Sequence, residues 1–132
     1  MLYPTQQQEA FVSTTQDLVA RYVALWNEAD AQARRSAIAA LWREDGAHFV
    51  KEREARGHAG LEQRVIGSYE KNVGGKNYRF RSRNDAQRLR DVVTFTWEMV
   101  PAGAATVLAV GQEFLVLDGQ DRIITDYQFI LS

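Results

Sequence analysis

Two histidines and no cysteine bound the chemistry open to this 132-residue chain. Without a thiol, disulfide scaffolds, thiolate zinc sites, cysteine nucleophiles and thiol redox switches are excluded together. A three-histidine zinc site is impossible in one chain. Two histidines plus a carboxylate stay arithmetically open, but no convincing metal spacing is present, nor is a phosphate-cradling glycine loop or a nucleophile elbow. Acid-base chemistry is what remains. His48 lies in the short stretch Ala47-His48-Phe49-Val50, two residues before Val50, so on a strand the two share a side. An imidazole with an ordinary pKa of about 6.5 can give or take a proton near neutrality. Near the end of the chain, Ile124, Asp126, Gln128 and Ile130 share a parity. An aspartate buried between two isoleucines needs a partner or a function, and His48 is a candidate partner. A histidine satisfied by one hydrogen bond and an aspartate in a structural salt bridge remain open as plainer readings. His58 stands beside glycines and reads as a surface residue.

These side chains must be positioned by helices first and strands afterwards. Thr5 with Gln8 fits a capping box, and Phe11, Leu18, Val19, Tyr22, Val23 and Trp26 recur at the spacing of one helix face. A second helix is expected from Asp30, an N-cap residue, with Ala33, Ala37, Ile38 and Leu41 inward and its stop near Gly46. The strand around His48 then leads into Lys51-Glu52-Arg53-Glu54-Ala55-Arg56, which reads as a solvated loop. A third helix is expected over 61–73, with Leu61, Val65 and Tyr69 inward and Gly74-Gly75 ending it.

Beyond that point the pattern is of strands. Residues 78–83 alternate with basic positions, and in Val93-Thr94-Phe95-Thr96-Trp97-Glu98-Met99 the odd positions form one apolar face. Pro101-Ala102-Gly103 turns the chain, and Asp118-Gly119-Gln120-Asp121 joins two further strand runs, 105–117 and 122–131, as a hairpin. Helices followed by a strand meander predict an α+β fold. No repeat, linker or low-complexity tract suggests a second domain, so 1–132 reads as one.

Composition agrees with a globular domain, at 45% hydrophobic and 25% charged residues. Sixteen Lys and Arg against 17 Asp and Glu leave a net charge of −1, which argues against nucleic acid as a partner. The first residues lack a basic and apolar leader pattern, and no run reaches membrane-spanning length, so a cytoplasmic location and no membrane partner are expected. Arg79, Arg81, Arg83, Arg88 and Arg90 make a local basic surface that could attract an anion. A solvated strand face balanced by carboxylates is the plainer account.

The segments Ala20-Arg21-Tyr22, Leu41-Trp42-Arg43-Glu44-Asp45-Gly46-Ala47, Gly57-His58-Ala59-Gly60-Leu61-Glu62 and Leu117-Asp118-Gly119-Gln120-Asp121-Arg122-Ile123-Ile124 occur in an order that resembles the nuclear transport factor 2-like superfamily. Within it the SnoaL-like polyketide cyclases and the ketosteroid isomerases look nearest, over about residues 18–130. The resemblance implies a cone-shaped half-barrel, a curved and mostly antiparallel sheet wrapped around the N-terminal helices, with a ligand pocket at its open end. It places Tyr22 at an oxyanion-stabilising tyrosine and Glu113 at a carboxylic acid with the same role, provided that no bulge at Gly111 slips the register. It also places Asp126 and Gln128 inside. Val50 falls where the isomerases carry their proton-moving carboxylate, and a hydrocarbon cannot take a proton. His48 then becomes the candidate acid-base group, with Asp126 orienting or charging it.

Trp26, Val50, Tyr69, Phe95, Trp97 and Gln128 are the candidate substrate-binding residues, although aromatics at such spacings are often core. The expected function is cofactor-free proton transfer, as in isomerisation, cyclisation or hydration-dehydration, on a hydrophobic carbonyl compound. A non-catalytic module binding a small apolar ligand or a protein is the alternative. The resemblance further implies a homodimer through the sheet, for which Phe114, Val116, Tyr127 and Phe129 would supply an apolar face.

Overall fold

The computed structural model describes residues 6–132, with side chains from Thr14 onward. The capping pair Thr5 and Gln8, and Phe11, lie outside those described side chains. Helix α1 spans Gln6–Trp26 and buries Leu18, Val19, Tyr22, Leu25 and Trp26, the three-four stripe expected of one face. Just past its end, the Asn27 amide donates to the Phe80 carbonyl at 2.8 Å and accepts from the Phe80 N–H at 2.9 Å. That pair of bonds pins a later strand to the helix.

Helix α2, Ala31–Leu41, is capped as expected, the Asp30 side chain accepting from the Ala33 N–H at 2.8 Å. Ile38 and Leu41 are buried, while Ala33 and Ala37 are half-buried. The helix stops five residues short of Gly46. Trp42 already has extended backbone, and its fully buried side chain opens strand β1, Trp42–Val50. Gly46 is not a helix cap but part of a β-bulge, where the register shifts between Trp42 and Ala47. A Cβ at Gly46 would come 2.6 Å from Trp42 Cδ1, so the missing side chain makes room for the indole.

The charged stretch expected to be a loop is instead a hairpin. Lys51 turns the chain with a φ of 52°, and β2, Arg53–Arg56, pairs back antiparallel onto β1. It is an edge strand, exposed except at Ala55, and its charge suits an edge that must not pair further. Helix α3 runs over Gly57–Ser68 with Leu61 and Val65 buried, and a π turn, Tyr69–Val73, follows it. The glycine pair does not end the helical segment. Gly74 and Gly75 sit within the short α4, Gly74–Lys76, and left-handed Asn77 stops it.

Strands β3 (Tyr78–Ser82), β4 (Gln87–Leu89), β5 (Val92–Pro101), β6 (Ala109–Leu117) and β7 (Ile123–Ile130) complete the molecule. The sheet order is β2-β1-β7-β6-β5-β3, with β4 also on β5. Among the described residues only β1 and β7 pair in parallel. The result is an α+β cone, a curled and unclosed sheet around the helices. Val93, Phe95 and Trp97 are buried and Met99 packs against them, as the alternation of β5 predicts. In β7 the alternation breaks at one end. A register shift beside Val116 and Leu117 puts Ile123, rather than Ile124, in the core, while Asp126 keeps its inward place. No helix among the described residues is long and apolar enough to cross a membrane.

Candidate functional site

The inner side of the sheet and the facing side of α1 and α3 enclose a cavity of about 510 Å³. Tyr22, Trp26, His48, Val50, Trp97, Glu113 and Gln128 all line it. So do Phe80 and Met99, two apolar residues of β3 and β5 that the sequence pattern alone did not assign to a site. Two expected wall residues are elsewhere. Phe95 is buried beneath the site, edge-on to the Tyr22 ring at 5.4 Å. Tyr69 begins the π turn and lies under the Arg34 guanidinium, 5.2 Å from it, so it braces α2 against α3.

Strand pairing brings the polar groups together. His48 on β1 is level with Asp126 on β7, and Glu113 on β6 is level with Gln128. His48, Glu113 and Asp126 are at most 1% exposed. His48 Nε2 is 3.1 Å from Gln128 Oε1 and 3.8 Å from Asp126 Oδ2. With the Gln128 oxygen accepting, Nε2 carries the imidazole proton and Nδ1 is the basic nitrogen.

The Tyr22 hydroxyl donates to Asp126 Oδ2 at 2.5 Å. The tyrosine thus holds the Asp126 carboxylate from the cavity side. Burial, and then the charge of Asp126, hold the Tyr22 phenol well above its usual range, so it stays protonated.

Glu113 faces inward because β5 and β6 pair without a slip from Val92 opposite Val116 to Met99 opposite Ala109. The bulge considered for Gly111 is absent. Gly111 serves the packing of Trp97 instead. A Cβ there would lie 2.1 Å from Trp97 Cζ2, so the glycine lets the indole lie across the sheet. The indole N–H then donates to Glu113 Oε1 at 2.8 Å. Burial, followed by the charge and hydrogen bonding of Asp126, raises the Glu113 carboxyl well above the carboxylate range, with Trp97 and Tyr22 working partly against them. Two carboxyls this close in a dry site cannot both ionise cheaply, so Glu113 keeps the proton.

Asp126 itself does not line the cavity. It acts behind the wall, on Tyr22 and His48. Three buried polar atoms on lining residues lack a partner among the described residues: Trp26 Nε1, His48 Nδ1 and Glu113 Oε2. Buried polar atoms are normally satisfied, and three in one cavity suit a polar group on a ligand. His48, Glu113 and Asp126 also offer ligand atoms all within 4.8 Å of one another, a set that could hold a metal ion. His58, expected at the surface, is half-buried, its Nε2 3.0 Å from the Trp42 carbonyl where β1 begins.

Outside the cavity, the basic face is balanced by carboxylates. Arg81 and Arg83 both bind Glu98, at 2.9 and 2.8 Å, and Arg88 binds Asp121 at 2.9 Å. On the same outer face of the sheet Tyr127 and Phe129 are exposed, with Phe114 edge-on to Phe129.

No family model matches the sequence, and no curated protein matches it significantly. Solved structures do match the fold. A candidate isomerase of the SnoaL-like family from Agrobacterium tumefaciens is 21% identical, with a TM-score of 0.81 over 91% of this chain and 99% of that one. A candidate polyketide cyclase from Sinorhizobium meliloti is 10% identical, with a TM-score of 0.65 over 86% and 94%. A cystatin-like protein of unknown function from Nostoc punctiforme is 16% identical, with a TM-score of 0.65 over 98% and 96%. At such identities the likeness establishes the fold alone: the chain has the α+β cone of cystatin-like and nuclear transport factor 2-like proteins.

Proposed function

We propose that this protein is an enzyme that moves a proton on a hydrophobic carbonyl compound held in the cavity. The observation that carries the reading is the buried pair of carboxyls, Glu113 and Asp126, beside His48 at one end of a cavity that Trp26, Phe80, Trp97 and Met99 also line. Glu113, kept protonated, donates from its unpartnered oxygen to the substrate carbonyl and stabilises the enolate oxygen as charge develops there. The unpartnered His48 Nδ1 takes a proton from the carbon next to that carbonyl and returns it at the same or a conjugated carbon. Asp126 faces the opposite nitrogen and stabilises the imidazolium formed between the two transfers. Tyr22 and Gln128 position Asp126 and His48. Isomerisation follows when the proton returns to a conjugated carbon, and cyclisation when the enolate attacks a second carbonyl of the same molecule.

The test uses β-tetralone, a flat ketone with acidic α-protons, in deuterated water. The protein should accelerate α-deuteration followed by NMR, and His48→Ala should lose at least about a hundredfold of that acceleration while still binding the ketone. Full exchange activity in His48→Ala, with ketone binding intact, would remove His48 from the mechanism. Ketone binding without acceleration by the parent protein would favour the alternative of a small-ligand carrier.

A further inference from the structure

Almost every arginine outside the cavity is matched by a carboxylate or a carbonyl. Arg21 pairs with Asp17, Arg35 with Glu62, Arg43 with Asp45, Arg56 with Glu54, Arg122 with Asp118, and the sheet arginines with Glu98 and Asp121. Arg34 and Arg79 bind the carbonyls of Glu28 and Tyr78. Lys51, Arg53, Arg64 and Lys71 have no carboxylate partner among the described residues, and all four line the cavity. Lys51 and Arg53 come from the β1-β2 turn, and Arg64 and Lys71 from the helical segment across from it. Lys51, Arg53 and Lys71 are exposed and Arg64 is half-buried, whereas His48 and Glu113 are buried, so the cations form the mouth and His48 with Glu113 the floor.

Among the described residues the only acidic one in the lining is Glu113, at the other end, its carboxyl raised by burial and by Asp126. Arg64 stands close enough to Arg53 for the like charge, after burial, to pull its guanidinium below the usual range. Cations gathered without a counter-charge repel one another, and an anion placed among them relieves that repulsion.

From this arrangement we infer that the ligand is an amphiphilic anion: its apolar body lies between Trp26, Phe80, Trp97 and Met99, and a carboxylate or phosphate at its far end sits among Lys51, Arg53, Arg64 and Lys71. The inference rests on the cavity being a ligand site, as proposed above, and narrows its substrates to those with an anionic end remote from the reacting carbonyl. The arginines offer planar forks suited to either oxyanion, and the lysines add point charge.

The test uses two fluorescent dyes with the same aromatic body, anilinonaphthalene sulfonate and the uncharged phenylnaphthylamine. The anionic dye should bind at least about tenfold more tightly at low salt, and rising salt should erase the preference. The double substitution Arg53→Gln with Arg64→Gln should remove the preference and leave phenylnaphthylamine binding unchanged. Arg53→Lys with Arg64→Lys should largely keep it. Arg90→Gln, which changes an exposed cation away from the cavity, should alter neither dye. Equal binding of the two dyes overturns the anion inference and leaves the pocket standing. An equal loss of both dyes in the glutamine variant also overturns it. Failure of both dyes to bind the parent protein removes the ligand pocket and the inference together.

Discussion

The two faces of the sheet use the same carboxylates to opposite ends. On the outer face Glu98 lies between Arg81 and Arg83, and those arginines pull its carboxyl below the usual range. On the inner face Glu113 lies beside Asp126, pairs with no arginine or lysine among the described residues, and is raised. The outer carboxylate is charged and held by two arginines that themselves reach solvent. The inner one is buried, and that burial with Asp126 beside it makes its carboxyl hold a proton to higher pH than an ordinary glutamate does. Pairing opposite charges in water changes stability little, while placing like charges together out of water decides which group keeps a proton. Only the second arrangement leaves a proton donor facing a cavity.

The sharpest way to break the inner arrangement is steric. Gly111→Ala would drive a methyl group into the Trp97 ring, 2.1 Å away, and push out the indole that donates to Glu113. We expect a loss of ~2–3 kcal/mol in thermal or urea unfolding, the scale of an overpacked core site, with a changed tryptophan emission. Gly119→Ala, in the hairpin turn where a new Cβ meets nothing within 4 Å, is the matched control and should be near neutral. Equal effects would mean that the cavity wall is no more tightly packed than a surface turn.

A smaller effect separates burial from packing. Glu113 gives up its proton readily in the unfolded chain and only at higher pH in the folded one. Between those two values the folded state holds more protons than the unfolded state. The contribution of Glu113 is therefore whole below the unfolded pKa and is lost as pH rises through the folded one. Glu113→Gln keeps the shape, keeps an acceptor for Trp97 and cannot ionise. Its unfolding free energy should lack that decline with rising pH, and above the carboxylate range it should be more stable than the parent protein. Parallel pH profiles for the two proteins would mean that Glu113 is already ionised in the folded state.

These contrasts are unequally legible in the sequence. Strict alternation from Val93 to Met99 is a local signal, and the structure follows it with Val93, Phe95 and Trp97 in the core. A bulge breaks such parity with no equally local sign, as the exchange of Ile123 for Ile124 shows. Gly46 reads equally well as a helix cap and as relief for a neighbouring indole, and only the burial of Trp42 decides between them. Tyr69 falls away from the cavity because the helix periodicity that points it inward gives way to a π turn at that residue. The cavity mouth is the least visible part. Which cations lack a carboxylate depends on partners far along the chain: Arg81 and Arg83, conspicuous in the sequence, are neutralised by Glu98, while the less conspicuous Arg53 and Arg64 are not.

The smallest expected effect lies on the outer face. Arg83 and Arg81 lower the Glu98 carboxyl, so its contribution is present above the unfolded carboxylate pKa and is lost as pH falls through the folded one. Glu98→Gln should therefore flatten a slight acid-side loss of stability and do little near neutrality. Because the two arginines are half-exposed, the difference from the parent protein should vanish at about 1 M salt, where the Debye length is ~3 Å. The Glu113→Gln difference arises in a dry site and should survive the same salt. Thermal unfolding of both variants at low and high salt reads the two effects side by side. If salt erased the inner difference as fully as the outer, the floor of the cavity would be solvated, and Glu113 would lose the burial that keeps it protonated.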